Sequence, residues 1–414
     1  MRIEPAAYLD YFHAAVRGAE PQWLAELRER SIQRFAVEGF PTRHDEEWRF
    51  NDLRPLTSRM FEQAPALAGA AAWERAGDGP LMVLANGFVT EGEAELPGLG
   101  LEAIRNLLRE PMPELEGLTS FAALNAALFA DGFSIRVAPG QVLDAPVEIL
   151  HWTEAGAAHT RNRILAGAGS TATIIESFAG KGEYWTNAVT DIRVEAGAVL
   201  RHIKLQAEGA DAVHLAVNRV EIEAGGRYES FVLVLGGQLS RHDVVATVTG
   251  AGAKCRVNGA YLLRGRQEAT IATLIDHAAP GCETREVVKG VADEQSHGIF
   301  QGKFRVRREA QKTDAVQTNK NLLLSAEAQI DTKPELEILA DDVKCSHGAT
   351  VGDLDENALF YLRSRGIEEA EARAMLIRAF ATDALDTISD EAARLYLDRH
   401  VTNWLDNNKA EVSG

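Results

Sequence analysis

Residues 165–176 read LAGAGSTATIIE, and the same texture returns as VEAGAVLRHIKLQ at 194–206 and IEAGGRYESFVLV at 222–234. Each segment places a corner of small residues before a run of β-branched and aliphatic side chains, which is typical of a turn followed by a strand. Related segments follow as VTGAGAKCRVNGAYL at 248–262 and APGCETREVV at 279–288. The sequence thus predicts one strand-and-corner unit used repeatedly.

The corner glycines recur at a nearly constant spacing. Gly167, Gly197, Gly225, Gly252 and Gly281 are separated by 30, 28, 27 and 29 residues, and a weaker copy lies near residue 310. Such a period indicates a repeat architecture, and the absence of helical segments within the units excludes leucine-rich, ankyrin and tetratricopeptide arrays. A β-helix, or β-solenoid, remains, in which each coil buries its inner face against its neighbours.

Both ends of the chain have helical patterns instead. Apolar residues recur at helical spacing over 5–17 and 21–38, each segment opening at a proline. We therefore predict a helical region with a short strand pair over 1–130, a β-helix over 131–352 and a second helical region over 353–414. Helices at both ends would cover the open coils of a solenoid, whose unpaired edges otherwise invite association.

Composition narrows the class of function. The 414 residues carry a net charge of −18, which argues against nucleic acid as a partner because phosphate binding requires a basic surface. The N-terminal segment is amphipathic rather than a signal peptide, and no apolar run reaches the roughly 20 residues that span a bilayer. Three widely spaced cysteines predict a reducing compartment. We expect a cytoplasmic protein without a membrane partner.

Known catalytic motifs are absent from the sequence. It contains no G-x-x-x-x-G-K-[ST] phosphate loop, no H-E-x-x-H and no G-x-S-x-G, so neither ATP hydrolysis nor the common hydrolase chemistries are indicated. The strongest chemical candidates lie in ADDVKCSHGATVG, residues 340–352. On a strand, Cys345 and His347 would project from the same face, because side chains two residues apart point the same way.

This pair leaves three interpretations open. A thiolate and an imidazole bind iron or zinc, but two ligands are too few for a closed site, so further ligands would come from elsewhere in the chain or from a partner. A histidine beside a cysteine also suits a nucleophile. Alternatively the pair packs in the core, since Val343 and Ala349 share its face and free cysteines are often buried. Cys255 is predicted to be a core residue, and Cys282 has no assigned role.

Two longer segments identify a family. Residues 296–367, from SHGIFQGKFRVRREAQ to ATVGDLDENALFYLRSRGI, closely resemble the C-terminal half of SufD-type members of the SufB/SufD family of the SUF iron–sulfur cluster assembly system. PTRHDEEWRFNDLRPL, residues 41–56, also resembles the SufD pattern. SufB-like chains carry a cysteine shortly before the Leu-Leu of the last coils, where this chain has TNKNLL at 318–323.

The resemblance implies a right-handed parallel β-helix and a non-enzymatic scaffold that binds SufB and the ATPase SufC. It implies no cofactor bound by the chain alone, but transient iron or a nascent Fe–S cluster at the SufB interface, with His347 the main contributor beside Cys345. The C-terminal helices would dock SufC. Residues expected in that docking region are Asp353, Leu359, Phe360, Tyr361, Arg365 and Gly366.

Other outcomes are kept as alternatives. The isolated chain could form a homodimer. It could instead be a β-helix enzyme that acts on a carbohydrate or acyl substrate through Cys345 and His347 as a nucleophile pair, in which case the thiol pKa should be lowered. It could also be a purely structural partner without any ligand role.

Overall fold

A computed structural model describes residues 3–15, 20–109, 111–112 and 119–412. The fold is mainly β, with 43% of the described residues in strands and 22% in helices, and its centre is a β-solenoid of about eight turns. Helices lie at both termini. The predicted fold class is therefore confirmed, and the repeating corners seen in the sequence are the corners of its coils.

The elements follow one another in a simple order. The N-terminal helices are α1 (Pro5–Ala14), α2 (Gln22–Glu38), α3 (Arg54–Thr57) and α4 (Ser120–Leu128). The strands are β1 (Leu81–Ala85), β2 (Phe88–Glu91), β3 (Ala94–Leu96), β4 (Leu99–Ala103), β5 (Phe133–Val137), β6 (Val147–Thr153), β7 (Gly156–Ala166), β8 (Thr171–Gly180), β9 (Tyr184–Val194), β10 (Val199–Gln206), β11 (Val213–Ile222), β12 (Arg227–Val234), β13 (Leu239–Val248), β14 (Lys254–Leu263), β15 (Glu268–His277), β16 (Glu283–Ala292), β17 (His297–Val306), β18 (Asp314–Leu323), β19 (Gln329–Ile338) and β20 (Lys344–Gly352). The C-terminal helices are α5 (Glu356–Ser364), α6 (Glu369–Leu385) and α7 (Glu391–Val412).

The strands form two ten-stranded sheets. One runs β2-β1-β6-β8-β10-β12-β14-β16-β18-β20 and the other β19-β17-β15-β13-β11-β9-β7-β5-β4-β3. From β6 onward the chain alternates between the sheets, so each new strand lies parallel to and in register with the strand two positions earlier. Parallel stacking of this kind buries both inner faces against each other, as the repeat pattern predicts.

Glycine at the corners has a conformational cause. Gly197, Gly225, Gly252 and Gly281 have φ between 65° and 69°, a left-handed region that side chains disfavour. In the first predicted unit the residue with this conformation is Gly169, with φ 68°, rather than Gly167. Gly167 is small for a different reason, since a Cβ there would lie 2.7 Å from the carbonyl oxygen of Val137.

The sheets begin before the predicted boundary at residue 131. Asn86 and Gly87, with φ 50° and 84°, form the turn of the predicted strand pair, which is the hairpin β1–β2. That hairpin is not a separate unit, because β1 pairs in parallel with β6 and so extends the solenoid sheet. In the helical region, α1 ends at Ala14, and residues 16 and 17 of the predicted first helix lie outside the described part.

The C-terminal helices α6 and α7 pack on the outer face of the sheet that ends in β20. Their apolar side chains bury those of β8, β10, β12 and β14, with Ile377, Leu385, Leu397 and Val401 among the contributors. Tyr396 on α7 bonds through its hydroxyl to Ser177 at 2.8 Å and accepts from Trp73 at 2.9 Å. Among the described helices, none is both long and apolar enough to cross a bilayer.

Candidate functional site

The predicted pair lies on the last strand of the solenoid. β20 pairs with β18, so that Cys345 stands opposite Ala315 and His347 opposite Gln317. β20 ends its sheet and β19 ends the other, so within the described residues neither strand has a partner on its outer side. The site is therefore at the open end of the solenoid, where the backbone of both sheets remains available for pairing.

Cys345 points into the solenoid. It is half-buried and contacts two apolar clusters of the interior, one of which contains Val306, Ala310 and Ala340. Burial raises the pKa of the Cys345 thiol, so the thiol form dominates at neutral pH. A catalytic nucleophile requires the opposite shift. Cys255, as predicted, lies fully buried in the core.

His347 shares the inward face of β20 but is exposed, because no further coil covers it. Residues 344–352 form a strand, so the two-residue period places both side chains on one face. In the described ranges, no group of three or more His, Cys, Asp or Glu side chains could hold a metal ion. The open end therefore presents two ligand-type side chains that cannot complete a metal site on their own.

Apolar side chains surround this end. Ile338 is 39% exposed, Leu339 56% and Val351 42%, all on the last coil. In the preceding coil the positions of Ile338 and Val351 are held by Val306 and Asn321, which are buried. Exposed apolar side chains clustered beside a free strand edge are typical of an interaction surface.

Beneath His347 lies a column of polar side chains that the sequence did not single out. Gln317 on β18 donates through Nε2 to Oε2 of Glu286 on β16 at 2.6 Å. Beside it, Tyr261 donates its hydroxyl to Asn321 at 2.8 Å, and Asn321 donates to Asn319 at 2.7 Å. Residues 317–321 of DAVQTNKNLL are all polar, so the sequence shows a polar strand but not which of its side chains face inward.

Glu286 is the one carboxyl in this column. It is 1% exposed, and burial raises its pKa to about 7. Gln317 donates to it, which favours the ionised form without cancelling the effect of burial. Glu286 therefore changes protonation near neutral pH, in the coil two steps below the open end.

A second buried network lies in the earlier coils. Glu176 accepts from His202 at 2.6 Å and lies 3.1 Å from His151. Burial alone would raise the Glu176 pKa, but the two imidazoles hold it below its usual range. Lys204 lies 2.9 Å from His214, and burial lowers the Lys204 pKa to about 8. The alternation His202-x-Lys204-x-Gln206 in β10 is the signal that could have predicted it.

The predicted docking segment begins directly after β20. Asp353 is exposed, and α5 is capped by Asp355, which accepts from the backbone of Asn357 and Ala358. Helix α5 has no buried residue. Phe360 is 75% exposed and Tyr361 57%, while Leu359 is partly covered. This helix thus presents aromatic side chains to solvent.

Arg365 and Gly366 complete the predicted docking set. The Arg365 guanidinium lies 5.2 Å from the centre of the Tyr361 ring, and it donates to the Tyr361 hydroxyl at 3.2 Å. Gly366 has φ 86° and follows the end of α5, where the left-handed conformation suits glycine. All six predicted residues therefore lie on, or directly beside, one exposed helix.

Comparison with known proteins gives consistent results. Residues 150–380 match the family model described as the SUF system FeS cluster assembly SufBD core domain. The chain is 32% identical over 380 residues to the Escherichia coli iron–sulfur cluster assembly protein SufD, covering 88% of this chain and 89% of that protein. It is 31% identical to a SufBD family protein of Synechocystis, covering 91% of this chain and 90% of that one.

A third relative is the chloroplastic protein ABCI7 of Arabidopsis thaliana, which is 29% identical, with 92% of this chain and 86% of that protein covered. The matched core includes every coil from β7 to β20, and it therefore includes Cys345 and His347. Together with the β-solenoid, these matches show that the chain belongs to the SufBD family of iron–sulfur cluster assembly proteins, and within it to the SufD type.

Proposed function

We propose that the chain is a non-catalytic scaffold subunit that pairs with SufB at the open end of the solenoid and docks the ATPase SufC through α5. Its role in SUF cluster assembly follows from the family. One observation supports the finer proposal most strongly. Cys345 and His347 project at an uncovered end with too few ligands of their own, which suits a shared site completed by a second subunit.

The open end is suited to pairing with a similar chain. β19 and β20 offer free backbone edges, and Ile338, Leu339 and Val351 supply exposed apolar area. A partner strand that adds to such an edge gains main-chain hydrogen bonds and covers the apolar side chains. SufB belongs to the same family, so its own last coil is the expected partner. A second copy of this chain would use the same edge when SufB is absent.

SufC docking is supported by the contrast between the C-terminal helices. α6 and α7 are fixed to the sheet by a large apolar contact, and Lys289 on β16 donates to the Phe380 carbonyl at 3.1 Å. α5 has no buried residue and exposes Phe360 and Tyr361. Aromatic side chains are frequent anchors of protein interfaces. A force applied to α5 would reach the solenoid through α6, which lies against β14 and β16.

Iron or a nascent cluster is the cargo of this site. His347 supplies a ring nitrogen, and SufB would supply a cysteine and a carboxylate, which complete a set of ligands suited to iron. The enzyme alternative is less well supported, because burial raises the Cys345 pKa where an attacking thiolate needs it lowered.

Co-purification tests the proposal. The chain is expressed with SufB and SufC of the same organism, and the purified material is analysed for composition, ATPase activity and cluster formation. We expect one stable complex in which ATP is hydrolysed and a cluster assembles after iron and sulfide are supplied. Failure of the chain to bind either partner would refute the proposed function.

A further inference from the structure

Three residues form a line through the last three coils of one sheet. Glu286 on β16 stands opposite Gln317 on β18, and Gln317 stands opposite His347 on β20. Glu286 and Gln317 are each 1% exposed, so both side chains lie inside the solenoid. Neighbouring strands are about 4.8 Å apart, which places the imidazole of His347 within reach of the Gln317 side chain.

The amide of Gln317 is held in one orientation. Its Nε2 donates to Oε2 of Glu286 at 2.6 Å, so its carbonyl oxygen Oε1 points elsewhere. Room for the amide comes from Gly302 on the facing sheet, where a Cβ would lie 2.1 Å from Gln317 Nε2. In the described part of the chain, Oε1 is buried and receives no hydrogen bond. A buried acceptor without a donor is costly and indicates a missing partner.

The next lumenal amide on β18, that of Asn319, differs from Gln317 in having both polar atoms hydrogen-bonded. Asn319 stands opposite Ala349 rather than a histidine. Its Nδ2 donates to the carbonyl of Val288 at 3.0 Å, and its Oδ1 accepts from Asn321 at 2.7 Å, so both of its polar atoms are satisfied. Of the two amides, only Gln317 has a side-chain carbonyl oxygen that accepts no hydrogen bond from a described residue, and Gln317 is the residue that stands opposite His347.

Histidines that bind metals usually donate their second ring N–H to a carbonyl or carboxylate, which fixes the ring and the tautomer. We propose that Gln317 is a positioning residue for His347, whose ring N–H it accepts at Oε1, so that the other ring nitrogen points outward to ferrous iron. Glu286 holds the Gln317 amide in the orientation that makes this possible. The inference rests on the proposed function for the role of iron, but the proposed hydrogen bond needs only residues of this chain and can be tested without SufB.

The first test uses the isolated full-length chain labelled with ¹⁵N-histidine. Long-range nitrogen–proton correlation spectra identify the His347 ring N–H, and His347→Ala assigns it. We expect a ring N–H protected from solvent exchange in the wild type, lost in Gln317→Met and retained in Asn319→Met, the matched control. Equal protection in the wild type and Gln317→Met would overturn the proposal.

The second test measures Fe²⁺ affinity of the complex with SufB and SufC. Loss of an outer hydrogen-bond partner typically weakens metal binding about 10- to 100-fold, and this is the expected effect of Gln317→Met. The double variant Glu286→Gln with Gln317→Glu exchanges the two groups and keeps an acceptor oxygen beneath His347, so it should restore affinity. Equal affinity in Gln317→Met and wild type contradicts the positioning role.

The two failures can be told apart. If His347→Ala binds iron as the wild type does, the proposed function of His347 is wrong, whatever the spectra show. If His347→Ala weakens iron binding but Gln317→Met changes neither the ring N–H nor the affinity, the proposed function stands and the role of Gln317 is wrong.

Discussion

Glu286 is a buried carboxyl whose environment disfavours its ionised form. It is a carboxyl inside an apolar and amide-lined lumen, and burial raises its pKa to about 7 from 4.5. Because the folded pKa is the higher one, this group stabilises the fold below about pH 4.5, and that stabilisation is lost as pH rises through 7. The difference amounts to about 3 kcal/mol.

We therefore predict that Glu286→Gln is more stable than the wild type at pH 8, by up to about 3 kcal/mol, and similar to it at pH 4.5. Glutamine keeps the shape of the side chain without the charge. Urea unfolding at both pH values measures the difference. Glu371→Gln, at an exposed position of α6, serves as the control and should show no such dependence. A pH-independent effect of Glu286→Gln would refute the assignment of its pKa.

Cys345 gives a second prediction. Burial raises its pKa, so little thiolate is present at pH 7 and alkylation by iodoacetamide should be slower than for free cysteine. The rate should rise steeply above pH 9. Mass spectrometry of the labelled peptide follows the reaction, with Cys345→Ser as the blank. Alkylation at pH 7 faster than for free cysteine would support the nucleophile alternative instead.

Residue patterns predicted one part of this site and missed another. The shared face of Cys345 and His347 follows from the period of a strand, which local sequence displays. Gln317 and Glu286 could not be assigned, because each lies in an unbroken polar run, and polar side chains on a strand normally mark its solvent face. Only the coil topology shows that these positions face inward and that His347 stacks above them.

At the scale of elements, the corners depend on backbone conformation. Gly225 has φ 65°, and a Cβ there would meet nothing within 4 Å, so an alanine is disfavoured by conformation alone. We predict that Gly225→Ala lowers the free energy of unfolding by about 1–2 kcal/mol. Gly348 on β20, with equally open space and no left-handed φ, is the control, and Gly348→Ala should be neutral. Chemical denaturation measures both, and equal effects would contradict the argument.

A substitution on helix α5 tests the proposed docking of SufC. Phe360→Ala should leave the melting temperature unchanged, because the side chain is 75% exposed, and should weaken SufC binding at least 10-fold. Leu395→Ala on α7, where the side chain is 46% exposed, is the control and should bind SufC normally. Binding is measured by titration calorimetry with purified SufC. Unchanged affinity in Phe360→Ala would place the docking surface elsewhere.

Elements were predictable where a local signal defines them. Thr119 caps α4 by accepting from Ala122, as a hydroxyl before an apolar helix suggests. The corner at Gly169 was misplaced by two residues because AGAG contains two glycines, and spacing alone does not show which one has positive φ. Gly167, which does not have a positive φ, is required because a side chain there would clash with the backbone of the preceding coil.

At the scale of the whole molecule, the repeat period predicted the architecture, because the strand-and-corner unit recurs over the entire core. Helices at both ends were expected to cover the coils. The structure instead places α6 and α7 on the outer face of a sheet and leaves the coil of β19 and β20 open. Sequence could not reveal this, since an amphipathic helix shows which of its faces is buried but not the surface that buries it.

The central claim is that His347 contributes to an iron site shared across the open end. The most direct measurement is the iron content of the complex with SufB and SufC after anaerobic reconstitution, compared among wild type, His347→Ala and Ser346→Ala. Ser346 is the matched control, since it lies beside His347 on the opposite face of β20. We predict a loss of most of the iron in His347→Ala with the complex intact, and wild-type iron in Ser346→Ala. Full iron content in an intact His347→Ala complex would contradict the account.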